Sequence, residues 1–195
     1  MAVKLTKGQK VNLDKGMQMA LIGLGWNTNQ YDGGYDFDLD ASAFMLGANG
    51  KVHQDEDFIF YHNLDSPDGS VHHTGDNLTG GDGVDDDEVI TVDFSKVPSH
   101  IEKIAFTVTI YDAQIRGQNF GQVSNAYVRL AKMAGPQDMV GEEVLRYNLM
   151  EDFSTETALV VCELYRSEGQ WRFNAVGAGY QGGLAALCRS YGVNV

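Results

Sequence analysis

The residues best placed to do chemistry in this chain are carboxylates set among glycines. From Gly75 to Glu88 the sequence reads GDNLTGGDGVDDDE, which places Asp76, Asp82, Asp85, Asp86, Asp87 and Glu88 in one short stretch. Asn77 and Thr79 add neutral oxygens, and Gly75, Gly80, Gly81 and Gly83 separate the charges. The nearest cationic side chains along the chain are Lys51 and Lys96. Neighbouring carboxylates repel and raise one another's pKa, so a compact acidic loop needs a compensating charge. A hard divalent cation with oxygen ligands supplies it, and glycines such as Gly80 let backbone carbonyls turn inward as further ligands. The competing reading is a solvated or disordered charge run. Against that stands its position between two apolar, strand-like runs, after Tyr61 and before Val89.

A second set of carboxylates lies upstream, in Tyr35-Asp36-Phe37-Asp38-Leu39-Asp40-Ala41. Strict alternation puts Asp36, Asp38 and Asp40 on one strand face and Phe37, Leu39 and Ala41 on the other. Asp is disfavoured in strands. Three on one face fit either a solubilising edge strand or carboxylates that share a cation with the loop. The acidic loop favours the second. It is not an EF-hand: numbered from Asp76 the third position is Leu78, and numbered back from Glu88 the sixth is Asp82. Gly80 to Asp85 imitates a nonapeptide calcium repeat, but Asp87 stands where a large apolar residue belongs, and there is one copy where an array is needed.

The elements that must position these groups read as short strands. The chain has 195 residues, enough to bury a core without disulfides. Its formal charge of −13 argues against nucleic acid and against docking on anionic lipid. Cys162 and Cys188 sit in apolar settings and read as reduced core thiols. The opening MAVKLTKGQK lacks the apolar core of a signal peptide and no run approaches a membrane span, so a cytoplasmic protein without membrane insertion is expected.

Val3 to Leu13 suggests two short strands about a Lys7-Gly8 turn, and Met17 to Trp26 a buried strand. Ala43 to Leu46 followed by Asn49-Gly50 and Val52 suggests a hairpin. Phe58 to Tyr61 is a short strand and Ser66-Pro67-Asp68-Gly69 a turn. Val89 to Phe94, Lys103 to Tyr111, Asn125 to Met133, Val144 to Leu149, Ala158 to Tyr165 and Gln170 to Val176 supply further strands, with a hairpin turn at Glu168-Gly169. Asp112 to Gln122 is a polar loop or short helix, and Arg116 within it reads as a solvent-exposed side chain. The five histidines read as structural. Gly183 to Tyr191 is the best helix, ended by Gly192. The pattern predicts one domain, mainly β: an antiparallel β-sandwich with short peripheral helices.

These blocks together resemble the TerD family of tellurite-resistance and stress-response proteins, close to its TerD- and TerE-like members. The resemblance runs through GLGW (Gly23–Trp26), DFDLDASAF (Asp36–Phe44), SPDGSV (Ser66–Val71), HTGDNLTG (His73–Gly80), TIYDAQ (Thr109–Gln114), NFGQVSNAYVRL (Asn119–Leu130), STETALVVCELYR (Ser154–Arg166) and YGVNV (Tyr191–Val195). It implies a β-sandwich that binds calcium, with two ions expected, through the FDLD strand and the acidic loop. Asp38, Asp40, Asp76 and Asn77 are the ligands that it carries over by position. The loop here is one residue longer than the family's TGEGDGDDE, which leaves the assignment open among Gly80, Asp82, Asp85, Asp86, Asp87 and Glu88. After GLGW the family commonly has Asp where this chain has Asn27.

The function expected is therefore a non-enzymatic calcium-binding protein of a bacterial stress response linked to tellurite resistance. The resemblance implies that it acts through other Ter-system proteins, including a membrane-embedded one that would hold it at the inner membrane. The alternative is a hydrolase in which the same carboxylates hold Mg²⁺ or Mn²⁺. Thiol redox chemistry at Cys162 and Cys188 is a third reading.

Overall fold

Apolar residues at alternate positions, interrupted by glycine and asparagine turns, fold into two sheets packed face to face. The computed structural model of the chain describes residues 3–28, 34–81, 85–149 and 155–194. In chain order the strands are β1 (Val3–Lys4), β2 (Lys10–Asn12), β3 (Met19–Gly25), β4 (Leu39–Leu46), β5 (Phe58–Ile59), β6 (Val71–His73), β7 (Glu88–Asp93), β8 (Lys103–Ile110), β9 (Tyr127–Lys132), β10 (Glu142–Asn148), β11 (Ala158–Ser167) and β12 (Gln170–Tyr180). Two helices accompany them, α1 (Ala113–Arg116) and α2 (Gly183–Tyr191).

One sheet runs β1-β10-β9-β3-β7-β6 and the other β2-β12-β11-β8-β4-β5. Every pairing is antiparallel except that of β1 with β10. Between the sheets lie Ile22, Leu24 and Trp26, Leu39 and Met45, Ile90 and Val92, and Ile104, Phe106 and Val108. Alternation along each strand supplies this layer, as a two-sheet packing requires.

A second, smaller core covers the outward face of the β4 sheet. There Phe44, Leu46, Val160 and Ala105 pack beneath Leu187, Cys188 and Val193. The α2 helix occupies the residues expected. Gly192 closes it in the left-handed conformation, with Gly192 N–H on the Arg189 carbonyl (3.4 Å) and Val193 N–H on Cys188 (2.9 Å). That is the Schellman arrangement, and buried Val193 adds its usual apolar contact. The hairpin turn at Glu168-Gly169 also stands, with φ of 52° and 74°, the type I′ signature.

The two opening strands form where expected, on either side of the turn at Gly8 (φ +81°), with β1 joining β10 in one sheet and β2 joining β12 in the other. Two expectations change. The turn at Asn49-Gly50 exists, but the strand that pairs with β4 is Phe58–Ile59 rather than one at Val52. Finally, β4 begins at Leu39 rather than at Tyr35, so Asp36 and Asp38 precede the strand, and its place between β8 and β5 disfavours the edge-strand alternative.

Candidate metal centre

The centre forms where β4 begins, because β5 pairs only with Ala43 and Phe44 and leaves the earlier edge of β4 open. Side chains from the other sheet close that edge. Ala41 N–H donates to Glu88 Oε2 (2.7 Å), and the Ala41 carbonyl accepts from His73 Nε2 (3.2 Å). Since Gly75 N–H donates to His73 Nδ1 (3.1 Å), the imidazole carries its proton on Nε2, directed at Ala41 and, at 3.6 Å, at Glu88. Both side chains are fully buried. Glu88 also accepts from Asn77 N–H (3.2 Å), so one carboxylate ties the acidic loop to β4 across the sandwich.

The approach to β4 is held as firmly. Trp26 Nε1–H donates to the Phe37 carbonyl (2.8 Å), Tyr111 N–H to that of Asp38 (2.9 Å), and Gln118 Nε2 to those of Tyr35 and Asp36. Backbone acceptors are thereby satisfied without a sheet partner. The result turns Asp38 and Asp40 together. With Asp76 they offer carboxylate oxygens all within 4.8 Å of one another. Asp38 and Asp40 are each 5% exposed.

Burying carboxylates side by side shifts their titration. Burial first, then the fields of Glu88, Asp38 and Asp76, push Asp40 up to about 8. Burial also raises Asp38, although Arg116 opposes the shift. Burial raises Glu88 against the pull of its hydrogen bonds. The arrangement is therefore short of positive charge. One guanidinium enters it: Arg116 NH2 sits 3.4 Å from Asp38 Oδ2 and packs over the rings of Tyr35 and Tyr111. This corrects the reading of Arg116 as a solvent-exposed loop residue, for its side chain is 19% exposed.

The structure brings Asp38, Asp40 and Asp76 together, but not the rest of the expected set. Asn77 turns its side-chain oxygen onto the N–H groups of Thr79 and Gly80 and its amide toward Asp87. Asp87 accepts Trp26 N–H at 2.9 Å. Asp86 points to the opposite, outward face of the β3 sheet, where Arg129 grips it through two nitrogens at 2.6–2.9 Å and Tyr127 O–H joins at 3.2 Å. Asp85 is exposed, and its carbonyl accepts from Tyr127. Gly80 packs so tightly on the Trp26 indole, at φ +73°, that any side chain there would collide with it. Asp82 lies outside the described residues.

Spacing along the chain could not reveal Arg129 opposite Asp86. A signal existed nonetheless: glycines within the apolar β3 mark a close approach. A methyl at Gly23 would meet the Asp86 carboxylate.

One buried oxygen here, Asp38 Oδ1, has no partner among the described residues. Oxygen donors, crowded carboxylates and an unpartnered carboxylate oxygen fit a hard divalent cation such as calcium. The cysteines do not form a site. Cys162 lies between the sheets and Cys188 under α2, and burial pushes the Cys188 thiol up to about 11 and that of Cys162 higher still.

Fold and site together define a two-sheet β-sandwich with a carboxylate cluster at the open edge of an inner strand. The TerD domain model matches residues 1–191, and the chain belongs to the TerD family. It is 56% identical to tellurium resistance protein TerD of Serratia marcescens, over all of this chain and 99% of that one. It is 54% identical to general stress protein 16U of Bacillus subtilis (strain 168) over the full length of both. The crystal structure of a homologue of telluride resistance protein from Streptomyces coelicolor A3(2) superposes with a TM-score of 0.70, covering 88% of this chain and 95% of that one. At 21% identity that likeness speaks for the fold alone.

Proposed function

We propose that this chain is a non-enzymatic calcium-binding protein of a bacterial stress response connected with tellurium resistance. The observation that carries the reading is the convergence of Asp38, Asp40 and Asp76, two of them buried, at a strand edge that side chains from the opposite sheet cap. A cation at these residues would neutralise the cluster and fix the loop from Asp76 to Gly80 against β4. An ordered surface of that kind is what a protein partner can read. The relatives' names, tellurium resistance protein and general stress protein, support the biological setting. They offer nothing for the hydrolase alternative.

The partners in this reading are other Ter-system proteins, one of them embedded in the membrane. The chain itself would remain cytoplasmic and reach the inner membrane only through them. Among the described residues no helix is long and apolar enough to cross a membrane.

Calorimetric titration of chelator-stripped protein with calcium, then magnesium, tests the reading. Binding of calcium well ahead of magnesium, with a clear rise in melting temperature, is expected, because a ligand that binds only the folded state stabilises it. Absence of calcium binding would return the carboxylates to a structural role.

A further inference from the structure

Beside the carboxylate cluster, on the outward face of the β4 sheet, lies a cavity of about 750 Å³. The calcium reading leaves it unused. Its floor is the strand face carrying Asp40 and Thr109, and its far wall is the start of α2. We propose that this cavity binds a hydroxyl-bearing phosphate monoester, its phosphate held between the α2 N-terminus and a cation at Asp40. The proposal rests on the calcium reading and extends it to a second ligand.

The first observation is a pair of buried polar atoms without partners. Thr109 is 1% exposed and stands in register between Asp40 on β4 and Ala158 on β11. Two residues along the same face, Thr107 and Ser42 satisfy each other, hydroxyl to hydroxyl at 2.7 Å. Thr109 has no such neighbour, and its hydroxyl finds no partner among the described residues. Gln118, 8% exposed, spends its amide N–H groups on Tyr35 and Asp36, which leaves Oε1 unpartnered. Both residues line the cavity. Buried polar groups are ordinarily satisfied, so a hydroxyl and an amide oxygen left open here ask for a ligand with hydroxyls of its own.

The second observation is the uncapped helix. The N-cap of α2 is Gly182, no side chain caps it, and its first turn carries no acidic residue. Leu184 and Ala185 bring that first turn to the cavity wall. Free N–H groups and the positive end of the helix dipole favour an anion. At the other end the carboxylates favour a cation. A phosphate has oxygens enough to face both. The volume suits a ligand of sugar-phosphate to mononucleotide size rather than a lone ion.

Without a cation, the acidic cluster, with Asp76 and Asp112 beside it, offers the phosphate no attractive charge at that end. With one bound, the cluster becomes the attractive wall. The two ligands must therefore help each other, and by the same factor in either direction.

The test uses the full chain, chelator-stripped or calcium-loaded, titrated calorimetrically with ribose 5-phosphate, inorganic phosphate and ribose. Ribose 5-phosphate should bind the calcium-loaded protein at least tenfold more tightly than inorganic phosphate does, and the calcium-free protein not at all. Two variants locate the site. Ala185→Glu sets a carboxylate in the exposed first turn of α2, where it suits the helix, and should cost at least tenfold in sugar-phosphate affinity without lowering the melting temperature. Thr109→Val removes only the open hydroxyl and should weaken ribose 5-phosphate while leaving calcium affinity unchanged. If calcium binds and the sugar phosphate does not, the proposal fails and the calcium reading stands. If neither binds, both fail. Equal affinity in wild type and both variants would place the anion elsewhere and overturn the proposal.

Discussion

Replacing Asp40 with Asn should stabilise the cation-free protein at neutral pH, the opposite of what removing a structural carboxylate does. The folded-state pKa is about 8, whereas an unfolded Asp titrates near 4. At pH 7 the folded carboxyl is mostly protonated and the unfolded one is ionised. Folding then takes up about one proton, against a gap of about three pH units, at a cost of at most about 4 kcal/mol relative to a group neutral in both states. The sign follows directly. A raised folded pKa gives a contribution that is complete below about pH 4 and is lost as the pH climbs to about 8. An amide escapes that loss but misfits one hydrogen-bonding position, so the net gain should be about 2 kcal/mol. For a chain of this size that is about 4–8 °C in melting temperature.

Scanning calorimetry in chelator should show the gain at pH 7.5 and none at pH 4. With calcium the order should reverse. Wild type at a hundredfold excess over Kd gains about 2.7 kcal/mol, and the variant gains little. A variant destabilised by 1 kcal/mol or more in chelator at pH 7.5 would refute the reasoning, because Asp40 would then be serving the fold as an ionised acceptor. Equal calcium increments in both proteins would remove Asp40 from the ligand set.

Calcium binding should itself be pH-dependent. Since Asp40 holds a proton in the cation-free protein up to about pH 8, affinity should rise about tenfold per unit from pH 6 to 7.5; titration in buffers of different ionisation enthalpy should count about one proton released. Arg129→Met strands Asp86, whose side chain is 5% exposed, and should cost about 3–5 kcal/mol in denaturant unfolding. Calcium affinity should hold within twofold, because that pair faces away from the cluster. Gly23→Ala forces a methyl into the Asp86 carboxylate and should cost about 1–3 kcal/mol in the same assay.

The sequence made the general architecture legible because strand alternation and turn chemistry are local. The α2 helix and the Glu168-Gly169 turn needed no tertiary information. Alternation also put Asp38 and Asp40 on a common face, while it missed that β4 starts only at Leu39. The preceding residues are held outside the sheet, where Trp26, Tyr111 and Gln118 take their carbonyls, and those partners come from distant parts of the chain. The destination of each loop carboxylate was equally hidden. It depends on which side chains the sheet order sets opposite, as when β3 and β9 bring Gly23 beside Arg129 in register and leave room for Asp86.

Charge density along a chain therefore says that something must be neutralised, and not by what. Of the loop's described carboxylates only Asp76 joins Asp38 and Asp40. Asp86 anchors to Arg129 on one face of its sheet, Asp87 to the Trp26 backbone, and Glu88 to β4 across the sandwich. Those three consecutive residues fix the downstream end of the loop at three separate points. Upstream, the Asn77 turn and the seat of Gly80 on Trp26 fix the other end. The loop's three downstream carboxylates thus serve to hold the frame, while the two buried aspartates of the β4 entry lie beside Asp76 at the candidate site.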